Sequence, residues 1–158
     1  LRRARADGGQ RGVEDQRRRR MSALPAKLAG YRETKLIDPF ENFVGPLYEI
    51  GEKLERRYAF IVDERHVNLR GVIHGGMLMT LADMTMGQAA WDACDYANVV
   101  TLNMQSQFIR GARLGEIVEV QPTLTRRTRS VIFLRGDFKV GEEIIFSCAS
   151  LWKIIGQD

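Results

Sequence analysis

From Val99 onward, apolar and polar residues alternate. Val100, Leu102, Met104 and Phe108 are interleaved with Thr101, Asn103, Gln105 and Gln107, and Val118, Val120 and Leu124 with Glu119, Gln121 and Thr123. The same pattern returns at Ile132, Leu134, Phe138 and Val140, and again at Ile144, Phe146, Cys148 and Trp152. A period of two is the mark of a strand with one face buried. Turn signals at Gly111 to Gly115, Arg127 to Ser130 and Gly141-Glu142 divide the run into four long strands. Links this short predict an antiparallel sheet. No internal repeat is evident.

Upstream the period changes. Asp38-Pro39 reads as the opening of a short helix, Asp as cap and Pro in the first turn, leading into Phe40-Glu41-Asn42-Phe43-Val44 and ended by Gly45-Pro46. Two short strands are expected near Leu47 to Ile50 and Leu54 to Val62, then a loop over 63–72. Residues 75 to 93 form the one long helical segment. Its apolar side chains, Met77, Leu78, Leu81, Met84, Ala89 and Trp91 among them, are spread around the whole circumference. A helix apolar all round must be covered on most sides. A long antiparallel sheet curled around it satisfies both elements, so the expected fold is α+β with a wrapped central helix.

Composition adds limits rather than detail. The chain has 158 residues, 44% of them hydrophobic, which suits one domain with a tail. No apolar run reaches the roughly 18 residues that a spanning helix needs. Cys94 and Cys148 are the two cysteines and no CxxC spacing occurs, which argues against a disulfide scaffold or a structural zinc site. With His66 and His74 as the two histidines, a multi-histidine metal centre has little material. A reducing cytoplasm is the expected compartment. The net charge of +4 is uneven: residues 1 to 20 hold eight arginines against Asp7, Glu14 and Asp15, while the rest of the chain carries 16 basic and 17 acidic residues. Residues 1–30 therefore read as a basic, disordered extension with Met21 as a start, and 31–158 as the folded domain. No nucleic acid or membrane partner is expected.

Two features of the helix suggest chemistry. It opens at His74-Gly75-Gly76, where bare first-turn N–H groups and the helix dipole can receive an anion or a developing oxyanion. Glycines there could equally serve a tight turn. Asp83 is the sole charged residue between His74 and Asp92, in the most apolar element of the chain. A carboxylate buried there would need a partner or a raised pKa; it is either a structural hydrogen-bonding group or a tuned general base or nucleophile. Asp83 lies nine residues past His74, about half a turn out of phase and about 13 Å along the axis. The two groups meet on one substrate more easily if two copies of the chain each supply half of a site, which points to a dimer.

A longer composite pattern carries a resemblance. Asn68-x2-Gly71-x2-His74-Gly75-Gly76-x4-Leu81-Ala82-Asp83-x3-Gly87, followed by Val100-Thr101-Leu102-Asn103-Met104, resembles the hotdog-fold thioesterases of the PaaI type. The resemblance runs from about Asp38 to Ile155. It includes Phe108-Ile109-Arg110-Gly111-Ala112, where Gly111 stands in place of that family's proline. It implies the hotdog fold, active sites at a dimer interface, and hydrolysis of acyl-CoA thioesters to free acid and CoA. By the same resemblance, Gly75 points its N–H at the thioester oxygen and His74 and Asn68 position substrate or water. Asp83 of the other subunit acts as base or nucleophile, and Thr101 holds the water or the carboxylate. Gly76 lines the substrate site. Arg110, Arg113, Arg126, Arg127 and Arg129 are candidates for the CoA phosphates, each with the alternative of a solvated loop arginine. No metal or organic cofactor is implied, CoA being part of the substrate, and the assembly is a homodimer or homotetramer. The rival readings are an acyl-thioester dehydratase or hydratase of the same fold and a non-catalytic acyl-CoA sensor.

Overall fold

The computed structural model describes residues 24–35 and 38–156. The basic run at 1–20 and Met21 lie outside the described residues. Residues 24–30 hold one 3-10 turn, Ala26–Leu28. Tyr31–Asp158 form one compact unit by themselves. In it, strand β1 (Arg32–Glu33) precedes helix α1 (Pro39–Val44), strand β2 (Tyr48–Ile50) and strand β3 (Arg57–Ile61). The long helix α2 (Gly75–Ala93) follows, and then five strands: β4 (Val99–Phe108), β5 (Ile117–Val120), β6 (Thr123–Arg127), β7 (Val131–Val140) and β8 (Glu143–Ile154).

All pairings are antiparallel, in the order β1-β2-β3-β5-β7-β8-β4, with β6 added beside β7. The pattern around 118–124 is thus two strands. Pro122 has no N–H to continue a ladder, and the chain breaks there. Sequence order also misleads at β4. The short Gly111 to Gly115 link does not make a hairpin of β4 and β5. Instead β4 crosses to the far edge and pairs with β8 from Val99↔Ile154 to Phe108↔Phe146. A register shift at Phe138/Lys139 brings Ile145 into the core where the alternation pointed to Ile144.

The sheet curls over α2, but it closes only one side of it. Leu78, Leu81, Ala82, Met86 and Ala90 are buried against β5, β7 and β8 residues such as Val118, Ile132 and Phe146. Gly76, Met79, Thr80, Asp83, Gly87 and Trp91 are not buried, and these positions recur every three or four residues along one stripe. The helix is apolar round its circumference, yet one strip of it is uncovered. Edge strand β4 lies beside that strip and is itself largely bare, with Val100 43% and Leu102 55% exposed.

Close approaches explain two glycines. A Cβ on Gly87 would come within 3.1 Å of the Trp152 ring, so glycine lets that indole press on the helix. A Cβ on Gly111 would sit 2.7 Å from Val72 Cβ, which leaves no room for a proline ring either.

Candidate active site

The sequence places His74 at the N-cap of α2, and its ring turns back over the first turn. His74 Nδ1 accepts the Gly76 N–H at 2.9 Å, so the neutral ring carries its proton on Nε2, toward solvent. A side chain on Gly76 would collide with that ring at 3.0 Å. The amides of Met77 and Leu78 both reach the His74 carbonyl. One first-turn donor is left: among the described residues, the Gly75 N–H has no hydrogen-bond partner. Gly76, expected to bind substrate, contributes clearance, because its N–H is already taken. The Phe108 ring lies under Gly75 and joins it, through Phe146, to Phe138 in the core. This aromatic row packs the start of the helix against the core.

Asn68 sits in the hairpin loop before α2, where Val67 pairs with Ile73. Its Oδ1 accepts the Arg70 N–H at 2.8 Å, an Asx turn followed by Gly71 at φ +73°. Asn68, His74 and Gly75 thus belong to one end of α2. Asp83 is eight residues beyond Gly75, about 12 Å along the axis. A single copy does not bring the two groups together.

Asp83 differs from the expectation of a buried carboxylate: it is exposed, on the uncovered strip of α2. Its partner is Thr101, whose Oγ1 donates to Asp83 Oδ1 at 2.8 Å. A bulge in β4 makes this contact possible. Thr101 faces Trp152 across the ladder, but the register then shifts, so that Asn103 faces Leu151 and Met104 faces Ser150. Leu102 is the extra residue. Without it, Thr101 and Met104, three positions apart, would point to opposite faces. With it, both line the cavity beside Asp83. The alternation had set Thr101 on the face opposite Met104, and the bulge overturns that.

The cavity has a volume of about 540 Å³ and is walled by Met79, Met84, Met104 and Phe40, with Asp38 and Glu41 beside Asp83. A neighbouring cavity of about 820 Å³ shares Asp38, Glu41, Asp83 and Met84 and runs on past Gly87 to Tyr58 and Trp152. Glu41 and Phe40 come from α1, which forms as the sequence predicts. Asp38 caps it by accepting the Phe40 and Glu41 N–H groups at 2.7 and 3.2 Å. The other end is held as firmly. Arg65 donates to the Phe43 and Gly45 carbonyls at 2.7 Å each, and His66 Nε2 meets the Val44 carbonyl at 2.8 Å. Burial, then the charges of Asp38 and Asp83, push the Glu41 carboxyl above its ordinary range. Sequence reasoning missed Glu41. It stands 42 positions from Asp83, and the available signal, a capped helix carrying one acidic residue inside its first turn, says nothing of where that helix docks.

The arginines do not gather at this site. Arg110 is engaged by Glu143 at 2.7 Å, Glu116 at 3.2 Å and the Gly111 carbonyl, so it braces the turn after β4. Arg113 is exposed beside it. Arg126, Arg127 and Arg129 are exposed around the β6–β7 turn, and Arg127 is close enough to bear on Cys94, the C-cap of α2. In one copy they therefore lie at the opposite end of the helix from Gly75. Among the described residues no three His, Cys, Asp or Glu side chains converge as metal ligands, and no helix is long and apolar enough to cross a membrane.

Residues 70–145 match the family model of the thioesterase superfamily. A protein of Pseudomonas aeruginosa named "Putative esterase PA0474" is 27% identical over 128 residues, covering 79% of this chain and 95% of that protein. Among solved structures, PaaI of the phenylacetic acid degradation operon of E. coli has a TM-score of 0.69 at 15% identity, covering 76% of this chain and 86% of that one. Zebra fish thioesterase superfamily member 2 has a TM-score of 0.69 at 22% identity, covering 75% and 88%. The α+β hotdog fold and the likeness to thioesterases of the PaaI type, both read from the sequence, stand.

Proposed function

For a hotdog-fold chain that matches the thioesterase superfamily over residues 70–145, we propose hydrolysis of acyl-CoA thioesters at sites shared between two copies. One observation carries the reading: Asp83 is held at one oxygen by Thr101, while its Oδ2 and the Gly75 N–H, about 12 Å away along α2, both lack a partner among the described residues. A carboxylate and an oxyanion donor that are each free, but too far apart for one substrate, fit a site completed by a second copy. Edge strand β4 supports this, since it carries Thr101 and presents an edge that is unpaired among the described residues, with Val100 and Leu102 exposed.

In this mechanism the Asp83 carboxylate takes a proton from water as the water oxygen attacks the thioester carbonyl, or it attacks that carbon itself and the resulting anhydride is hydrolysed. The carbonyl oxygen becomes an oxyanion and is received by the partner's Gly75 N–H at the positive end of its helix. The C–S bond then breaks, and the thiolate leaves and takes up a proton. Thr101 donates to Oδ1, which orients the carboxylate and leaves Oδ2 free to react. His74 and Asn68 position substrate from the partner's helix end. A base of this kind contributes roughly a hundredfold to ten-thousandfold, and an oxyanion donor roughly a hundredfold to a thousandfold.

The test is thiol release from phenylacetyl-, benzoyl-, hexanoyl- and palmitoyl-CoA. Asp83→Asn is expected to lose about a hundredfold or more. Gly75→Pro deletes the donor at the first helical position, which proline tolerates, with a few tenths of an ångström asked of Phe108. Each variant alone should keep about one hundredth of the wild-type rate or less. Refolding the two together should restore part of the activity, because a mixed pair holds one intact site. No recovery on mixing, with pairs shown to form by sedimentation, would sink the shared site.

A further inference from the structure

The walls of the Asp83 cavity carry a chemical selectivity that the hydrolytic reading leaves open. We propose that this cavity receives the acyl end of the thioester, and that Glu41 and Asp38 on the α1 side make it select neutral acyl groups over those ending in a carboxylate. The inference rests on the thioesterase reading and names its substrate class.

The argument starts from charge. Among the described residues lining the cavity, three are carboxylates, Asp38, Glu41 and Asp83, and none is basic. The rest of the wall is mostly apolar, with Phe40, Met79, Met84 and Met104. A CoA tail with its phosphates would meet like charge here, so the cavity suits the acyl end. Methionine and phenylalanine walls favour a hydrocarbon group, aliphatic or aromatic. The neighbouring cavity adds one cation, Lys35, among its lining residues. Arg56, which reaches Tyr58 from behind, is already occupied by Glu49 at 3.6 Å and Asp92 at 3.7 Å. Among the described residues of one copy, an incoming carboxylate therefore finds no free cation in the Asp83 cavity. Nor can the acidic wall easily retreat, because α1 is tied at both ends, by the Asp38 cap and by Arg65 and His66 on its last carbonyls. Glu41 already feels the charges of Asp38 and Asp83, which is the field that an incoming carboxylate would meet. Like-charge contact in a partly desolvated pocket is a strong means of rejection.

The experiment compares two acyl groups of equal chain length, hexanoyl-CoA and adipoyl-CoA, by kcat/KM from thiol release and by calorimetric affinity. The readout is the ratio between the two substrates, so any general loss of activity in a variant cancels. Wild type is expected to prefer hexanoyl-CoA by about tenfold or more. Glu41→Gln should narrow the ratio by about threefold, and Glu41→Lys should narrow it further or reverse it. A wild-type ratio near one, or a ratio that neither substitution moves, overturns the proposal. If neither compound is hydrolysed but hexanoyl-CoA still binds the tighter, the hydrolase reading fails and the selectivity stands. If neither is bound, both fail.

Discussion

The two sides of helix α2 both carry large apolar residues, yet they meet different fates. On the side closed by β5, β7 and β8, Leu81, Phe146 and Ile132 are essentially inaccessible to solvent and every inward position meets another side chain. On the other side the neighbours are β4 and α1, where Phe43 is 73% and Phe108 57% exposed and the cavities lie. One side holds the fold together. The other keeps its polar groups, Asp83, Thr101 and Glu41, within reach of solvent and of a second copy. Apolar pattern alone does not distinguish a surface packed within the chain from one left open beside its site.

The sharpest way to break this comparison is to truncate an aromatic residue on each side. Phe146→Ala is expected to cost about 3–5 kcal/mol of unfolding free energy, because it removes a fully buried ring and leaves a void. Phe43→Ala should cost less than about 0.5 kcal/mol. Urea unfolding of both variants reads the difference, and equal losses would show that the open side is as structural as the closed one.

Thr101→Ala comes next and acts on turnover instead of stability. Removing a hydrogen bond to a charged group is worth about 1.5–3 kcal/mol, or roughly a tenfold to a hundredfold fall in kcat. Unfolding should move by less than about 0.5 kcal/mol, since both groups are exposed in the fold, and Thr101→Ser should recover most of the rate, since the serine hydroxyl can still donate. If Thr101→Ala unfolds the chain while leaving kcat alone, Thr101 belongs with the closed side.

What the sequence revealed follows the same division. The capped helix at Pro39–Val44, the long helix from Gly75, and β7 and β8 form where pattern and capping residues place them, because each depends on local preferences and one buried face. The composite motif also located Asp83 and Thr101, which the structure joins. Three things were not legible. The exposure of Asp83 depends on which flank of α2 the sheet leaves bare. The facing of Thr101 depends on one bulged residue, Leu102, that looks like any other apolar position in an alternating run. The arrival of Glu41 beside Asp83 depends on how α1 docks, through contacts from Arg65 and His66 that no spacing announces.

The smallest expected effect separates two carboxylates that bear on α1, one in the open cavity and one behind it. Burial works to raise the Asp63 carboxyl, but hydrogen bonds from the Arg65 side chain and backbone, with the charges of His66 and Arg65, outweigh it and hold Asp63 below its ordinary value. A carboxyl depressed in the folded state stabilises above its unfolded pKa, and that contribution is lost as pH falls through the folded value. Glu41 is raised, so its contribution has the opposite sign: present below the unfolded pKa and lost as pH rises through the folded value. Thermal melts from about pH 3 to pH 8 should therefore diverge for the two neutral variants. The Tm of Glu41→Gln relative to wild type should climb as pH rises above the ordinary glutamate range, then level off. That of Asp63→Asn should drop as pH rises toward the ordinary aspartate value and stay low above it. Parallel curves for the two variants would mean that the cavity wall and the clamp behind it do not differ electrostatically, and Glu41 would then be an ordinary surface acid.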